Sequence, residues 1–537
     1  MASFDPSDRP SMKDIKDYVL DTEALYGKGY PRGHPGTILE GLSSKYTSCI
    51  IAESFKQSFF NNLPPEMRRR IAGFVGPCWY LAVLGEARRL IDYIRQSEEI
   101  LSEELHLDED LWISRIVCQD HWYLSHISNM PIEATQEMEV FHIQLPQNIH
   151  KIIASTDHIG VRWIQFLDRE ATPTQDQSPW YEIYDVENFE PKLWDIRNRL
   201  IIKVIEIYDD KATRFWPLTW TSPITPIFRP LASIIHYDLQ MAKLHHMKFG
   251  SQVKGILVVC DGPVDIVGIH NFSGRNKAFW EFLERVHARR EPWMNPSLYW
   301  FYFPLNDQEN IRGVWARKWE RLDSRTNIDG LIVHTSFGRD MTFGAVYPRT
   351  FTRDSKYIPM VRHTDGPVSG IIHDGMDLRP YSIAVYGVTC HSPHNGGAPA
   401  WILIRYPIGP PWARPSDDDR VPWYMTKATL RGVTKVQVCR DRTQSHHPCL
   451  GILMFYADGH VEANGQIRWD YGLDEEICSP FVVTIGAVNE KDTIKDIRNA
   501  GDPVVATAHQ GEWKLLPTQG ILAWWFSELG DRLVVYD

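Results

Sequence analysis

Two clusters of histidine and cysteine are the residues most typical of metal chemistry in this sequence. Cys390-His391-Ser-Pro-His394 stands shortly before Gly396-Gly397, and Cys439 precedes His446-His447-Pro-Cys449. Together they contain enough nitrogen and sulfur ligands for a tetrahedral zinc ion. Neither cluster has the spacing of a zinc finger, and both stand among Pro, Gly and Ser, as surface loops do. We therefore expect no metal site. We expect no cysteine nucleophile either, because no third residue that would orient a Cys–His pair can be identified.

The motifs of the common enzyme classes are absent from the sequence. It contains no GxxxxGK[ST] phosphate loop, no GxGxxG turn opening a helix, and no HExxH, GxSxG or EF-hand motif. These absences argue against nucleotide-dependent and flavin-dependent enzymes and against the common hydrolases. We therefore expect no cofactor.

Tryptophan is unusually frequent, with 20 Trp beside 22 Tyr and 22 Phe. A large share of it falls after residue 290. Most Trp in β proteins fill cores, but the polar tips of Trp and Tyr need partners, so these residues often border a wet pocket. We predict an aromatic pocket that binds an apolar small molecule. The predicted ligand-binding residues are Trp300, Trp315, Tyr456, His460, Trp469 and Trp524.

Three polar residues of the same region are the predicted catalytic groups: Tyr302, His334 and Arg339. An aromatic pocket can hold a flexible apolar substrate with its reacting ends together, and pericyclic and cationic cyclisations need such preorganisation. They also need a donor that polarises a carbonyl or stabilises developing charge. Because these reactions require no cofactor and no conventional triad, this hypothesis expects a sequence without the usual motifs.

Regularly spaced glycines indicate the strands that would position these residues. Gly330–Gly344 and Gly451–Gly465 each contain glycines at spacings of 8 and 6, Gly255–Gly268 has spacings of 7 and 6, and a looser copy begins at Gly520. Each copy predicts a strand, a tight turn and a second strand, since Gly supplies the positive φ of hairpin turns. The copies begin 75, 121 and 69 residues apart, near multiples of roughly 35–40 residues, which favours a β-propeller-like arrangement. A β-sandwich or a β-prism is the alternative.

The N-terminal residues predict helices instead. Leu63-Pro-Pro-Glu66 opens one helix with Pro in its first turn, and Gly76-Pro77 ends it. A later helix is predicted with Ser273 as its N-cap and Phe279 on its apolar face. The fold class is therefore α+β. The expected regions are a helical part over 1–110, a mixed α/β connecting part over 111–250 and a β-rich domain over 251–537.

Charge and cysteine content limit the partners and the compartment. The net charge of −11 has the wrong sign for a general nucleic-acid binder. Apolar stretches such as Gly255–Cys260 are far shorter than the roughly 20 residues that span a bilayer, and the N-terminus lacks the features of a secretory signal. Eight scattered Cys without a CxxC pair are typical of buried thiols in a reducing compartment. We predict a cytoplasmic protein with neither nucleic acid nor membrane as partner.

Three segments resemble a family of uncharacterised fungal F-box-like, Trp-rich proteins. They are Phe59–Glu66 leading into Gly76–Glu86, then Gly330–Gly344, and finally Gly451–Trp469. The first is similar to an F-box, which begins with a Leu-Pro-x-Glu helix and recruits a ubiquitin-ligase scaffold. It departs from that pattern downstream, where one long helix replaces the third short helix of an F-box. The aromatic-rich, motif-poor character is similar, at the level of class, to the cofactor-free cyclases of fungal natural-product pathways.

The leading expectation is cofactor-independent binding and cyclisation of an apolar small molecule in fungal secondary metabolism, in the manner of a pericyclase or Diels–Alderase. The first alternative, which the resemblance implies, is an F-box-type ubiquitin-ligase substrate adaptor with a Skp-type adaptor as its partner. The second alternative is a lectin-like binding protein. Equivalent repeat positions argue against the lectin, because His334 corresponds to Phe455 and Ser336 to Ala457, whereas a repeated sugar site would reuse the same residues.

Overall fold

The computed structural model describes residues 105–118, 121–134, 138–186, 191–197, 201–208, 214–231, 239–240, 242–262, 265–289, 298–319, 330–346, 355–361, 365–391, 423–488, 491–507 and 513–536. The chain divides into two compact units, Met1–Ile224 and Thr225–Asp537. No helix in the described part of the chain is long and apolar enough to cross a membrane.

The first unit is built from short antiparallel strands. Its described strands are β1 (Leu111–Cys118), β2 (His121–Ser128), β3 (Met138–Ile143), β4 (Lys151–Thr156), β5 (Val161–Leu167), β6 (Trp180–Asp185), β7 (Lys192–Arg197), β8 (Ile202–Tyr208), β9 (Arg214–Phe215) and β10 (Leu218–Trp220). They pair in the orders β2-β1-β3, β5-β4-β6-β10 and β7-β8-β9. Alternate side chains such as Ile205 and Ile207 point inward and pack with Leu111 and Ile113 in one apolar core.

The second unit contains the remaining strands and two described helices. They are β11 (Arg229–Pro230), β12 (Lys243–Lys248), β13 (Gly255–Asp261), β14 (Asp265–Phe272), α1 (Lys277–Arg289), β15 (Leu298–Pro304), β16 (Ile311–Trp319), β17 (Gly330–Thr335), β18 (Asp340–Phe343), β19 (Ser355–Pro359), β20 (Val368–His373), β21 (Val385–Cys390), β22 (Tyr424–Thr429), β23 (Val433–Arg440), β24 (Cys449–Tyr456), β25 (Val461–Gly465), β26 (Ile477–Cys478), β27 (Phe481–Val488), β28 (Lys491–Asn499), α2 (Pro503–Thr507), β29 (Lys514–Leu515), β30 (Ile521–Ser527) and β31 (Gly530–Tyr536).

Several sheets make up this unit. Their strand orders are β11-β21-β20-β12, β14-β13-β15, β18-β17-β16-β19, β25-β24-β23-β26 and β22-β30-β31-β28-β27-β29. The four glycine-punctuated hairpins are confirmed as β13–β14, β17–β18, β24–β25 and β30–β31. In each of them a glycine with positive φ lies in the turn, for example Gly338 at 75° and Gly459 at 91°.

Strand β13 is buried on both faces and separates two apolar layers. Ile256 and Val258 face the main core of the unit, whereas Leu257 and Val259 face the side that α1 covers. Successive side chains of a strand point to opposite faces, so a strand buried on both sides must be apolar throughout.

Helix α1 covers the second layer with the apolar face expected from its spacing: Phe279, Phe282, Leu283 and Val286 are buried. Its N-cap is Asn276 instead of Ser273. The Asn276 Oδ1 accepts a hydrogen bond from the Phe279 backbone N–H at 3.1 Å, which is the usual geometry of an N-cap side chain.

The predicted fold class is wrong. Strands account for 56% and helices for 6% of the described residues, and no helical F-box-like N-terminal part is seen among them. The F-box-like segments Phe59–Glu66 and Gly76–Glu86 lie outside those residues. The propeller-like arrangement is also overturned, because the sheets are separate and of unequal size. The physical reason is that the strand after a hairpin does not add to the second strand of that hairpin, as it would in a four-stranded meander. β15 joins β13, the first strand of its hairpin, whereas β19 joins β16 and β26 joins β23, which precede their hairpins.

Candidate functional site

The predicted catalytic Arg339 lies in a saturated ion-pair network. Its Nε and Nη2 donate to the two carboxylate oxygens of Glu309 at 2.9 and 2.5 Å, and Nη2 also donates to the Pro304 carbonyl at 2.6 Å. Glu309 also accepts hydrogen bonds from Thr335 and Asn306. Burial raises the pKa of Glu309, but the hydrogen bonds and charge of Arg339 outweigh it and hold this pKa below its ordinary value. Arg339 therefore joins the turns at the ends of several strands.

Tyr456 and His460 lie beside this network. Their rings stack with centroids 3.8 Å apart, and the Tyr456 hydroxyl donates to the Thr429 carbonyl at 2.6 Å and lies 2.9 Å from the Glu462 carboxylate. The His460 Nδ1 pairs with Asp458 at 2.5 Å. The Tyr456 hydroxyl and the His460 Nδ1 thus already form hydrogen bonds within the protein.

Tyr302, Trp300 and Trp469 gather in the apolar layer beneath α1. The Trp469 ring contacts the edge of the Tyr302 ring, with centroids 5.2 Å apart, and the Tyr302 hydroxyl donates to the Lys254 carbonyl at 3.0 Å. Phe282 of α1 meets Trp300 edge-on at 6.3 Å. The indole N–H groups of Trp300 and Trp469 are buried without a hydrogen-bond partner.

The other predicted residues lie apart from these groups. Trp524 is fully buried in the main core. His334 lies on β17 opposite Asp340, half-buried, with burial lowering its pKa. Trp315 lies on β16 opposite Ile332. The structure thus brings the predicted residues together in two groups, one polar and one aromatic, and not in a single pocket.

A second cluster, which the sequence analysis missed, lies where β12, β14 and β20 meet α1. We call it the histidine cluster: His245, His270 and His373, with Arg285 of α1 beside them. His245 and His373 pair directly across β12 and β20, and their rings are 5.2 Å apart in an edge-to-face arrangement. His270 stacks on Phe282 with centroids 4.9 Å apart. Phe282 thereby connects the histidine cluster to the aromatic group around Trp300.

The hydrogen bonding of His373 fixes the position of its proton. The Gly375 backbone N–H donates to the His373 Nδ1 at 2.9 Å, so Nδ1 is the unprotonated nitrogen of the neutral ring and Nε2 carries the hydrogen. The Nε2 of His373 is buried and has no hydrogen-bond partner in the part of the chain that the structure describes, and the same holds for the Nε2 of His270. His373 therefore has a buried N–H donor that no described residue accepts.

All three rings are neutral at physiological pH. Burial, reinforced by the charge of Arg285, lowers the pKa of His245 and of His270 to about 4. Burial lowers the pKa of His373 well below its ordinary value, and the nearby His245, Arg289 and Arg285 add to the effect. Charged imidazoles are thus excluded from the cluster as long as no anion is present.

The two arginines of α1 differ in how their guanidinium groups are used. Arg289 is buried and donates to the carbonyls of Val267, Gly375 and Asp377 at 3.1, 2.6 and 2.8 Å. Arg285 is half-buried, and burial lowers its pKa. Among the described residues it makes no hydrogen bond or ion pair. We call Arg285 the uncommitted cation beside the cluster, because its guanidinium is not bound by any described residue.

This arrangement can bind an oxygen acceptor or an oxyanion. It offers a guanidinium and a buried neutral imidazole N–H, which are the donors that proteins direct at carboxylates, phosphates and polarised carbonyls. The cluster is not arranged as a metal site, because no group of three or more His, Cys, Asp or Glu in the described ranges could hold a metal ion.

The sequence carries no local signal for this cluster. Its histidines lie on three strands at positions 245, 270 and 373, and only the strand pairing brings them together. No protein-family model matches the sequence, and a search of curated proteins finds no match for it.

Proposed function

We propose that the second unit binds a small organic molecule at the histidine cluster, through an anionic or strongly polarised oxygen of that molecule. The observation that carries the proposal is the buried Nε2–H of His373, which has no acceptor among the described residues and lies beside the uncommitted Arg285. A buried donor without a partner costs about 1–3 kcal/mol, and such groups are rare in folded proteins. A bound oxygen acceptor would remove that cost.

Neutral imidazole donors also support the chemistry expected from the sequence. A neutral histidine N–H can polarise a carbonyl in a buried site, where it is worth more than in water. Cofactor-independent cyclisation of an apolar molecule stays a prediction. If it occurs, we assign the polarising donor to His373 and the wall of the site to Phe282 and the aromatic residues behind it, including Trp300. This assignment replaces Arg339, whose donors are already in use.

The proposal is tested by ¹⁵N NMR of the histidine side chains in the full-length chain. Sodium acetate, sodium benzoate, inorganic phosphate and phenyl phosphate are added in turn at neutral pH. We expect at least one of them to shift the Nε2 signals of His270 and His373 and to leave His460, which is hydrogen-bonded to Asp458, unchanged.

Two charge-removing variants on the same helix separate specific binding from a general salt effect. Arg285→Gln removes the uncommitted guanidinium and is expected to weaken the response about tenfold or more. Lys277→Gln removes an equally charged but exposed group and is expected to leave it within about twofold. Absence of any Nε2 response, or equal loss in both variants, would contradict the proposed function.

A further inference from the structure

The charge around the histidine cluster limits the kind of anion it can hold, an argument that rests on the proposed function. Arg285 contributes one positive charge, and the three histidines contribute none because burial keeps them neutral. The charge of Arg289 lies close by, but its two terminal nitrogens donate to three backbone carbonyls, and its buried Nε has no partner among the described residues. Arg285 is thus the cation of this site whose whole guanidinium makes no hydrogen bond to a described residue.

Acidic groups lie near both arginines of α1. Glu281 and Glu284 on α1 interact with the charge of Arg285, and Asp374 and Asp377, which follow β20, interact with the charge of Arg289. Asp374 is buried, accepts hydrogen bonds from the Ala384 N–H and the Tyr386 hydroxyl, and burial raises its pKa to about 6. A ligand with two negative charges would be repelled by these carboxylates, whereas a single charge is compensated by Arg285.

The donor geometry also favours a carboxylate. A guanidinium presents its N–H groups as a planar fork that matches the two oxygens of one carboxylate. His373 adds a single buried N–H donor. Its Nδ1 accepts a hydrogen bond from the Gly375 N–H, so only its Nε2 carries a hydrogen.

Apolar side chains of α1 pack against the His270 ring of the cluster. Phe282 stacks on His270, and Phe279 lies next to the same ring with centroids 6.5 Å apart. Both phenylalanines are buried on α1. A ligand that reaches the buried donors must therefore bring an apolar body, since a strongly hydrated one would lose its water without replacement.

From these contacts we propose that the ligand of the histidine cluster is a monocarboxylate with an apolar, ring-bearing body, whose carboxylate is held by Arg285 and the Nε2–H of His373. The neutral imidazoles act as donors, and the single guanidinium supplies the charge. A phosphate ester carries close to two charges at neutral pH and fits this site less well.

Titration of the full-length chain with sodium benzoate and with phenyl phosphate tests the ligand class, followed by calorimetry or by the Nε2 signals of His270 and His373. These two probes share the ring and differ in the anionic group. At pH 7.5 we expect benzoate to bind at least about tenfold more tightly than phenyl phosphate. Between pH 7 and 8 its affinity is expected to stay within about twofold, because the carboxylate, Arg285 and the neutral histidines do not titrate there and Asp374, with a pKa of about 6, is largely ionised throughout.

The outcomes separate this inference from the proposed function. Tighter binding of phenyl phosphate with the same Nε2 shifts would overturn the monocarboxylate and leave the proposed function standing. A benzoate affinity that rises tenfold from pH 8 to pH 7, where Asp374 stays largely ionised, would show that protonated histidines hold the anion, which also overturns it. No Nε2 shift with either probe, nor with acetate or inorganic phosphate, would overturn both proposals.

Discussion

The Arg339–Glu309 network and the histidine cluster differ in how far their hydrogen-bonding groups are satisfied, and this difference indicates which of them binds a ligand. Arg339 and Glu309 satisfy one another and their neighbours. Among the described residues, by contrast, the buried Nε2–H of His373 has no acceptor and Arg285 has no ion pair. A saturated network stabilises the fold. A buried cluster with an unsatisfied donor close to a partly exposed cation is typical of a binding site.

At the residue scale, Glu309→Gln tests the structural role of the Arg339 network. The Glu309 side chain is fully buried, so removing its charge leaves Arg339 with the more distant Glu462, 4.0 Å away, as its counter-ion. We expect the free energy of unfolding to fall by about 3–5 kcal/mol, measured by chemical denaturation. The matched control is Glu476→Gln, which breaks an exposed ion pair with Lys435 and is expected to change it by less than about 1 kcal/mol. Equal, small changes in both variants would contradict the network.

The individual site residues were the least predictable part of the molecule. Trp300 and Trp524 were expected at a pocket because tryptophan is frequent, yet both side chains are buried, one in each apolar layer of the second unit. Composition counts residues but does not say which face of a strand they occupy. The histidine cluster was missed for the related reason that its members are distant in sequence.

At the scale of elements, local signals were reliable where the backbone itself demands a residue type. The turns of the four hairpins could be predicted because Gly459 and its counterparts adopt positive φ, a conformation that costs other residues energy. The apolar face of α1 could equally be predicted from the spacing of its apolar residues. The partner of the next strand along the chain could not be predicted, since β15 joins a strand of its hairpin whereas β19 joins β16, the strand before its hairpin.

Gly459→Ala isolates the backbone requirement of the β24–β25 turn. Nothing lies within 4 Å of a Cβ added there, so the positive φ of 91° is the sole obstacle. We expect a loss of roughly 1–2 kcal/mol in the free energy of unfolding. Gly250→Ala is the control, because that glycine also has open space but no positive φ, and it should be neutral or slightly stabilising. A neutral Gly459→Ala would show that the turn has another conformation.

The start of α1 gives a second test at this scale. Asn276→Ala removes the side-chain oxygen that caps the Phe279 N–H and is expected to cost about 1 kcal/mol. Ser273→Ala removes the cap expected from the sequence, which contacts only the Asn276 side chain, and should cost less than half as much. Thermal or denaturant unfolding of the two variants distinguishes the caps. A larger loss from Ser273→Ala would place the start of the helix at Ser273.

At the scale of the whole molecule, the histidine cluster makes stability depend on pH. His270 has a pKa of about 4 in the folded chain against an ordinary 6.5, so between these values the unfolded chain binds a proton that the folded chain does not. The free energy of unfolding therefore falls as pH falls through this range. Asp374 acts in the opposite sense, since its pKa of about 6 exceeds the ordinary 3.8 and the folded chain binds the extra proton.

Two variants are therefore expected to change the pH dependence in opposite directions. His270→Gln should flatten the fall in the free energy of unfolding between pH 6 and pH 4.5 by about 1.4 kcal/mol per pH unit, the value for one proton. Asp374→Asn should steepen it by a similar amount. Denaturant unfolding at several pH values measures both slopes. Parallel curves for the wild type and both variants would contradict the buried, neutral state of the cluster.

The measurement that bears most directly on the central claim is a crystal structure of the full-length chain soaked with 4-bromobenzoate, in which the bromine marks the ligand by anomalous scattering. The account predicts a carboxylate in contact with Arg285 and the Nε2 of His373, with the bromine peak on the side of Phe282. A bromine peak elsewhere only, or an acceptor from the protein itself already on the His373 Nε2, would contradict it.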